Sequence, residues 1–331
     1  MPGFQVGLTH DQRLADGSPE YPLPALEQLG ISWRYLPADD GVLEAATLDG
    51  LDAVLVNQPA VTAASLECPN PPLLLARLGA GYDSIDVAAC TARGVLLTTA
   101  PEGIRRPMAS GTMALLLALA HRLPEKLERA RAGRWERDQI GVGVTGLTLG
   151  IVGLGGIGRQ VAALAEPFGL RLLAHTRSQP PAKDVELVDL QTLMRTSDFV
   201  LSTLPLNDQT LHLFSSELLG LMKPTAYFIN VGRGKTVDQA ALTAALTQGR
   251  IAGAALDVFE QEPIDPRDPL LALDNVIVTP HSIGLTQEML RAVGHSACLS
   301  VIDVAHGRVP SAVINPQALS HPRLSARLRQ L

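Results

Sequence analysis

Cysteine and basic charge are both scarce in this sequence of 331 residues. The three cysteines, Cys68, Cys90 and Cys298, lie far apart and form no C-x-x-C pair, which argues against a disulfide framework or a metal site. Reduced thiols in a reducing compartment are expected instead. Lysine and arginine number 27 against 33 acidic residues, for a net charge of -6. Without a basic stripe, nucleic-acid binding is not predicted.

Long apolar runs are also missing. The longest, residues 113–120, is far shorter than the about 20 residues that a membrane span needs. The first residues lack the basic stretch and long apolar stretch of a secretion signal. We therefore expect a cytoplasmic protein with no membrane partner.

The sequence does contain short apolar strands that alternate with helical stretches, in two successive regions. This alternation favours α/β architecture with two doubly wound parallel sheets, and the length fits about two domains. The predicted strands are residues 4–8, 31–36, 53–57, 73–78 and 95–99, and then 147–152, 171–175, 199–203, 226–230, 254–258 and 276–278.

Approximate bounds can be predicted for three helices. The first spans residues 23–29 and is ended by Gly30, and the last spans residues 287–306. Residues 106–121 are apolar on all faces, which indicates burial in a domain junction or a subunit interface and suggests a homodimer. Residues 124–144 are polar and are interpreted as an excursion outside the core.

A glycine-rich turn is the sharpest local signal. Gly153, Gly155 and Gly158 follow a strand and open a helix, which is the context that the dinucleotide motif G-x-G-x-x-G requires. The first glycine permits a tight turn, the second lets the backbone approach a pyrophosphate, and the third lets helix and strand pack closely. The free N–H groups of the helix then face the anion.

The end of the following strand bears on the choice of cofactor. NAD-binding domains carry an acid there for the ribose hydroxyls, but residues 174–178 contain none. Thr176 and Ser178 can donate hydrogen bonds, and Arg177 can pair with a phosphate. NADP is therefore favoured over NAD. In the alternative, Arg177 is solvated and NAD binds through the hydroxyls.

Four further stretches carry a family resemblance, at residues 78–86, 228–234, 255–263 and 275–284. With the glycine-rich turn, they resemble the D-isomer-specific 2-hydroxyacid dehydrogenases, in particular those of the glyoxylate and hydroxypyruvate reductase type. The resemblance implies a Rossmann cofactor domain at residues 103–286. This domain would be inserted in a flavodoxin-like substrate domain made of residues 1–102 and 287–331.

The resemblance also implies three catalytic residues. Arg233 would grip the carboxylate and carbonyl oxygens of a 2-keto acid with its guanidinium fork. His281 would be the proton donor, because an imidazole with a pKa of about 6.5 titrates near the working pH. Glu262 would orient the imidazole and favour its charged form. Glu260 is the competing acid, and its simpler interpretation is a solvent-facing charge.

Further binding residues follow from the same resemblance. Asp257 ends an apolar strand and would lie near the nicotinamide at the carboxyl edge of the sheet, or else cap a neighbouring helix. The other implied cofactor-binding residues are Gly156, Ile157, Leu204, Pro205, Thr210, Val231, Gly232 and Gly284. The implied substrate-binding residues are Asn57, Ala80, Gly81 and Arg233.

The implied function is the NAD(P)H-dependent reduction of small 2-keto acids to D-2-hydroxyacids. One departure from the family is the absence of an acid in residues 107–111, around Ser110. Two alternatives stay open: an NAD-linked dehydrogenase acting on a substrate such as 3-phosphoglycerate, or a regulator that binds the dinucleotide without turnover. Arg105 and Arg106 could meet a substrate phosphate, although a solvated pair is the simpler interpretation.

Overall fold

A computed structural model describes residues 3–37, 41–177 and 184–331. The chain divides into two compact units. Unit 1 comprises the residues up to Ile104 together with Thr286–Leu331, and unit 2 is Arg105–Leu285. Among the described residues, no helix is both long and apolar enough to cross a bilayer. The cytoplasmic location stays a prediction.

Strands and helices alternate through both units. The strands are β1 (Gln5–Thr9), β2 (Ser32–Leu36), β3 (Ala53–Val56), β4 (Leu74–Arg77), β5 (Leu96–Thr98), β6 (Thr148–Val152), β7 (Arg171–His175), β8 (Val185–Leu187), β9 (Phe199–Ser202), β10 (Tyr227–Asn230), β11 (Gly253–Leu256) and β12 (Val276–Val278). The helices are α1 (Pro24–Gln28), α2 (Ala45–Leu48), α3 (Val87–Ala92), α4 (Glu102–Ala120), α5 (Leu123–Arg131), α6 (Gly156–Ala165), α7 (Leu190–Thr196), α8 (Ser216–Leu219), α9 (Gln239–Thr247), α10 (Gln287–Ala305) and α11 (Pro322–Leu328).

The sheet of unit 1 has five parallel strands in the order β2-β1-β3-β4-β5. This is the flavodoxin-like order. The strands are apolar on both faces because a helical layer covers each face. Leu55 and Leu74 contact the cluster that includes α10, whereas Val54 and Leu75 contact the cluster on the opposite face.

The sheet of unit 2 has seven parallel strands in the order β12-β11-β10-β9-β6-β7-β8. Counted from β6, this is the Rossmann order, extended by β12. The order reverses between β6 and β9, and the loops after these strands flank the crevice where ligands of such sheets bind. Both parts of the predicted fold class are confirmed.

Several elements differ from the sequence prediction. Helix α4 begins at Glu102 and contains Pro107 in its interior, whereas a proline is best tolerated in the first turn. The earlier start lets Ile104 pack into the core of unit 1. The predicted excursion contains α5, which buries no residue. The short strand β8 and helix α11 were not predicted.

Candidate active site

The carboxyl edge of the unit 2 sheet brings the predicted functional loops together. These loops follow β6, β9, β10, β11 and β12, and all the strands they follow are parallel. Parallel strands present their carboxyl ends at one edge. Residues from five separate parts of the chain therefore lie side by side.

The glycine-rich turn after β6 has the predicted tight geometry. Gly153 has a φ of 102°, which favours glycine because a side chain is strained there. Its carbonyl oxygen accepts a hydrogen bond of 2.6 Å from Oγ1 of Thr203, in the loop after β9. A side chain on Gly158 would collide with this same carbonyl oxygen. Both glycines are thus needed for the turn itself.

The turn leaves empty space beside Gly155. Gly155 is the residue before α6, and a Cβ atom added there would meet nothing within 4 Å. The first N–H groups of a helix lack partners within the helix and attract anions. This space therefore fits the pyrophosphate of a dinucleotide.

The loop after β10 packs closely against the loops that follow β9 and β11. A Cβ atom on Gly232 would lie 2.6 Å from the carbonyl oxygen of Leu204, and one on Gly234 would collide with the backbone of Phe259. Between these glycines, the carbonyl oxygen of Arg233 accepts bonds from Nδ2 of Asn230 at 3.1 Å and Oγ1 of Thr236 at 2.7 Å. The backbone of Arg233 is therefore fixed independently of its side chain.

His281 and Glu262 form a pair. Nδ1 of His281 lies 2.7 Å from Oε2 of Glu262, and these side chains are 48% and 36% exposed. The Phe259 N–H donates to Oε1 of Glu262 at 3.0 Å. Partial burial acts to raise the pKa of Glu262. This effect of burial is outweighed by the hydrogen bond and charge of His281, the hydrogen bond from Phe259 and the charge of Arg233. The pKa of Glu262 is therefore lowered.

This result connects all three predicted catalytic residues. Glu262 bonds to His281 and lies within the electrostatic reach of Arg233. A carboxylate with a lowered pKa is ionised at neutral pH and only accepts hydrogen bonds. The proton of the pair therefore lies on Nδ1 of His281, which leaves Nε2 for an external acceptor or donor.

Asp257 holds the loop that carries His281. Its Oδ1 atom accepts bonds from Oγ1 of Thr279 at 2.7 Å, from the Ser282 N–H at 2.8 Å and from the Ile283 N–H at 3.1 Å. The His281 N–H donates to the carbonyl oxygen of Asp257 at 2.8 Å. These bonds fix the loop while His281 keeps a positive φ of 51°. Such backbone strain is typical of functional positions.

The second oxygen of Asp257 is unusual. Oδ2 is buried, and no residue in the described part of the chain gives it a hydrogen bond. Burial raises the pKa of Asp257 above 3.8, although the bonds from Thr279, Ser282 and Ile283 oppose this effect. A buried acceptor without a partner costs free energy, and a ligand amide could supply the missing bond. Asp257 thus secures a loop and offers a binding atom.

The end of β7 carries the residues predicted to select the cofactor. Thr176 is half-buried and Arg177 is exposed. The guanidinium of Arg177 bonds to the side-chain oxygen of Gln209, in the loop after β9. Ser178, the third predicted residue, lies outside the described residues. Gln209 had no sequence signal, because only the fold brings this polar loop residue to the end of β7.

The other predicted cofactor residues mainly shape the same edge. Thr210 is buried and its hydroxyl donates to the Pro205 carbonyl oxygen at 2.8 Å. A side chain on Gly284 would collide with Met108 of α4. Val231 is buried, whereas Leu204 and Ile157 are half-buried at the edges of the core. Thr279 was not predicted, although it lies in a stretch that carries the family resemblance.

Glu260, the competing acid, pairs with His212 rather than with His281. Its Oε1 atom lies 3.1 Å from Nε2 of His212 and accepts a bond of 3.0 Å from the Gln239 N–H. It is therefore a paired loop residue rather than a simple solvent-facing charge. Glu262, and not Glu260, is the partner of His281.

The predicted substrate-binding residues of unit 1 lie at the carboxyl ends of β3 and β4. Asn57 follows β3, and its amide is held on both sides, by Nη1 of Arg77 at 2.7 Å and by Oδ2 of Asp11 at 3.0 Å. Ala80 and Gly81 are partly exposed in the loop after β4. The orientation of the Asn57 amide is thus set within unit 1.

Glu262 gives a prediction for the pH dependence of stability. Because its pKa is lowered in the folded protein, it stabilises the fold above the ordinary value of 4.5, and this contribution is lost as the pH falls through the folded value. At about pH 6 we expect Glu262→Gln to unfold at a lower temperature than wild type, and at about pH 3.5 we expect this difference to be smaller, because the contribution of Glu262 declines below 4.5.

Thermal unfolding followed by circular dichroism measures this gap. Glu166→Gln, an exposed glutamate of the same unit, is the matched control and should show no such gap. An equal gap for Glu262→Gln at both pH values would contradict the ionised pair.

Comparisons with known proteins identify the family of the chain. Residues 113–282 match the family model described as "D-isomer specific 2-hydroxyacid dehydrogenase, NAD binding domain". Glyoxylate reductase of Korarchaeum cryptofilum is 40% identical over 255 residues, covering 74% of this chain and 77% of that protein. Glyoxylate/hydroxypyruvate reductase B of Escherichia coli is 40% identical over 282 residues, covering 82% and 87%.

A solved structure extends the likeness to the whole fold. D-lactate dehydrogenase of Aquifex aeolicus, complexed with NAD and lactic acid, matches with a TM-score of 0.84 and 27% identity over 94% of this chain and 99% of that one. The family model spans the loops that carry Arg233, Glu262 and His281, and the two relatives cover most of the chain. The chain therefore belongs to the D-isomer-specific 2-hydroxyacid dehydrogenase family.

Proposed function

We propose that the protein is a nicotinamide-dependent oxidoreductase that reduces small 2-keto acids to D-2-hydroxyacids. The observation that carries the proposal is the 2.7 Å pair between Nδ1 of His281 and Oε2 of Glu262, together with the charge of Arg233 acting on Glu262. A proton donor beside an anion-binding cation is what reduction of a keto acid requires. The reductases at 40% identity support the keto-acid substrate.

His281 is the proposed acid/base. With Nδ1 turned to Glu262, Nε2 delivers a proton to the substrate oxygen in reduction and takes it back in oxidation. Glu262 stabilises the charged imidazole and fixes the plane of its ring. Asp257 positions the loop through its bonds to Ser282 and Ile283.

Arg233 is proposed to hold the substrate. Its guanidinium can donate two parallel hydrogen bonds to a carboxylate, which also orients the neighbouring carbonyl group. The backbone N–H groups of Ala80 and Gly81 in unit 1 are also proposed as substrate contacts. Asn57 remains a proposed substrate contact with an amide already oriented by Arg77 and Asp11.

The residues at the edge of unit 2 fit a nicotinamide dinucleotide. The open space at Gly155 suits the pyrophosphate, and Oδ2 of Asp257 suits the carboxamide of the ring. When bound, the nicotinamide supplies the hydride. We assign residues 103–286 to the dinucleotide domain and residues 1–102 and 287–331 to the substrate domain.

NADP is the proposed preferred dinucleotide. Arg177 follows β7, where no acid competes for the ribose, and a guanidinium pairs well with a 2'-phosphate. We expect Arg177→Ala to weaken NADPH binding at least about tenfold, the loss of one charged hydrogen bond, and to change NADH binding less than about twofold. Fluorescence titration measures both dissociation constants.

A matched control lies at the other end of the same strand. Arg171 begins β7 and pairs with Glu186 at 2.7 Å, so Arg171→Ala should leave both constants unchanged. Equal losses for NADPH and NADH in Arg177→Ala would refute a role in recognising the 2'-phosphate.

A homodimer is the proposed assembly. The apolar side of α4 packs into the core of unit 2, and several exposed apolar side chains follow it in the sequence. Trp135 is 91% and Ile140 80% exposed, and Leu123, Leu127 and Val142 are also exposed. An exposed tryptophan among other apolar side chains is typical of protein interfaces.

We expect sedimentation velocity to give twice the mass of the chain for wild type and a shift toward monomer for Trp135→Ser. Leu271→Ser removes another exposed apolar side chain, from a different part of the sequence, and should remain dimeric. A monomeric wild type, or a Trp135→Ser variant that dimerises as tightly as wild type, would contradict the proposed assembly.

A substrate panel tests the proposed reaction. Glyoxylate, hydroxypyruvate and pyruvate are each supplied with NADPH or NADH, and nucleotide oxidation and product chirality are measured. We expect steady turnover with at least one small keto acid and a D-configured product from a prochiral one. Dinucleotide binding without turnover of any of them would instead favour the regulator.

A further inference from the structure

Arg105 lies against the glycine-rich turn. A Cβ atom added to Gly156 would stand 2.5 Å from Nε, 2.9 Å from Cδ and 3.2 Å from Cζ of Arg105. The arginine side chain thus fills the place that a side chain at position 156 would take. Arg105 is half-buried, whereas its neighbour Arg106 is exposed. The two arginines are therefore not the equivalent solvated pair that the sequence suggested.

The position of Arg105 adds a full charge to an anion-binding turn. A helix N-terminus carries about half a positive charge, whereas a pyrophosphate bridge carries about two negative ones. The guanidinium lies over Gly156, the first residue of α6, and the neighbouring Gly155 leaves open space for a ligand. The positive charge of Arg105 at this point would neutralise pyrophosphate charge that the helix N-terminus alone does not neutralise.

We infer that Arg105 binds the pyrophosphate of the dinucleotide, and that position 156 is glycine because a side chain there would displace this arginine. This inference rests on the proposed function, since it adds a residue to the same dinucleotide site. The competing assignment is an anionic group of the substrate, which the experiment below distinguishes.

The first test compares Arg105→Met with Arg106→Met by isothermal titration calorimetry. The probes are NADPH, NADH and ADP-ribose, which keeps the pyrophosphate but lacks the nicotinamide. We expect Arg105→Met to weaken all three about 10- to 100-fold, as the loss of a charged hydrogen bond does. Arg106→Met should bind all three as wild type does. Arg105→Lys, which keeps the charge without the fork, should give an intermediate loss.

A double-mutant cycle tests the link to Gly156. Gly156→Ala in the wild-type background should push Arg105 away and weaken ADP-ribose binding about tenfold. In the Arg105→Met background the same change should cost less than about twofold, because the flexible methionine can leave the space. Circular dichroism verifies the fold of each variant, and Gly156→Ala keeps the test decisive if Arg105→Met does not fold.

The outcomes distinguish a failure of the inference about Arg105 from a failure of the proposed function. If Arg105→Met binds ADP-ribose like wild type but has a raised KM for glyoxylate, Arg105 serves the substrate and the inference is overturned. Additive effects of the two substitutions would overturn the link to Gly156. If wild type itself binds none of the three probes, the proposed function fails, and not only the role of Arg105.

Discussion

Replacing His281 with asparagine is expected to lower kcat for reduction of the preferred keto acid by about 10²- to 10⁴-fold, the usual contribution of a general acid. Asparagine tolerates the left-handed backbone conformation that His281 adopts, with its φ of 51°. Its amide cannot deliver a proton from the position of Nε2. The loop should persist, because Asp257 holds it through the main chain of Ser282 and Ile283.

The measurement is steady-state NADPH oxidation, with the dissociation constant of NADPH determined in parallel. We expect that constant to change less than about threefold, so that the loss falls on the chemical step. His306→Asn is the matched control, since His306 is exposed at the end of α10 and its Nδ1 contacts the Ile302 carbonyl oxygen. Turnover by His281→Asn within a few-fold of wild type would remove His281 from the mechanism.

Replacing Arg233 with lysine is expected to raise KM for the keto acid about 10²-fold and to lower kcat as well. Lysine keeps the charge but loses the planar fork that binds a carboxylate through two parallel bonds. Arg233→Ala should be worse, with kcat/KM reduced by about 10³-fold or more. Because the carbonyl oxygen of Arg233 is held by Asn230 and Thr236, the loop should survive either change.

A stability measurement and a control variant make this prediction specific. The unfolding temperature of Arg233→Lys should be close to that of wild type. The control is Arg250→Lys, at an exposed arginine of the same unit, which should leave kcat and KM unchanged. An Arg233→Lys variant with wild-type KM for every keto acid would exclude Arg233 as the carboxylate-binding residue.

The fold could be predicted largely from periodicity and glycine placement. Apolar runs at residues 147–152 and 199–203 become β6 and β9 because a strand covered on both faces must be apolar throughout. Gly153, Gly155 and Gly158 predicted the turn, in which Gly153 has a positive φ and a side chain on Gly158 would collide with the Gly153 carbonyl oxygen. The positions of Asp257 and His281 after strands predicted their common edge, since parallel strands end together.

Other features could not be predicted, because they depend on contacts between distant segments. Nothing in the sequence around Arg105 connects it with Gly156, 51 positions later by their numbers; only the packing of α4 on the turn does so. Gln209 meets Arg177 for a similar reason. Helix α4 begins at Glu102 rather than at the predicted residue 106, and the packing of Ile104 against the core of unit 1 favours this earlier start.

The central claim is that His281 and Arg233 act together on one keto acid beside the nicotinamide. A crystal structure of the ternary complex with NADPH and oxamate, an unreactive keto-acid analogue, tests it most directly. The account predicts Nε2 of His281 within about 3 Å of an oxamate oxygen, with the Arg233 guanidinium on the same molecule. Oxamate bound beyond hydrogen-bond reach of both side chains would contradict it.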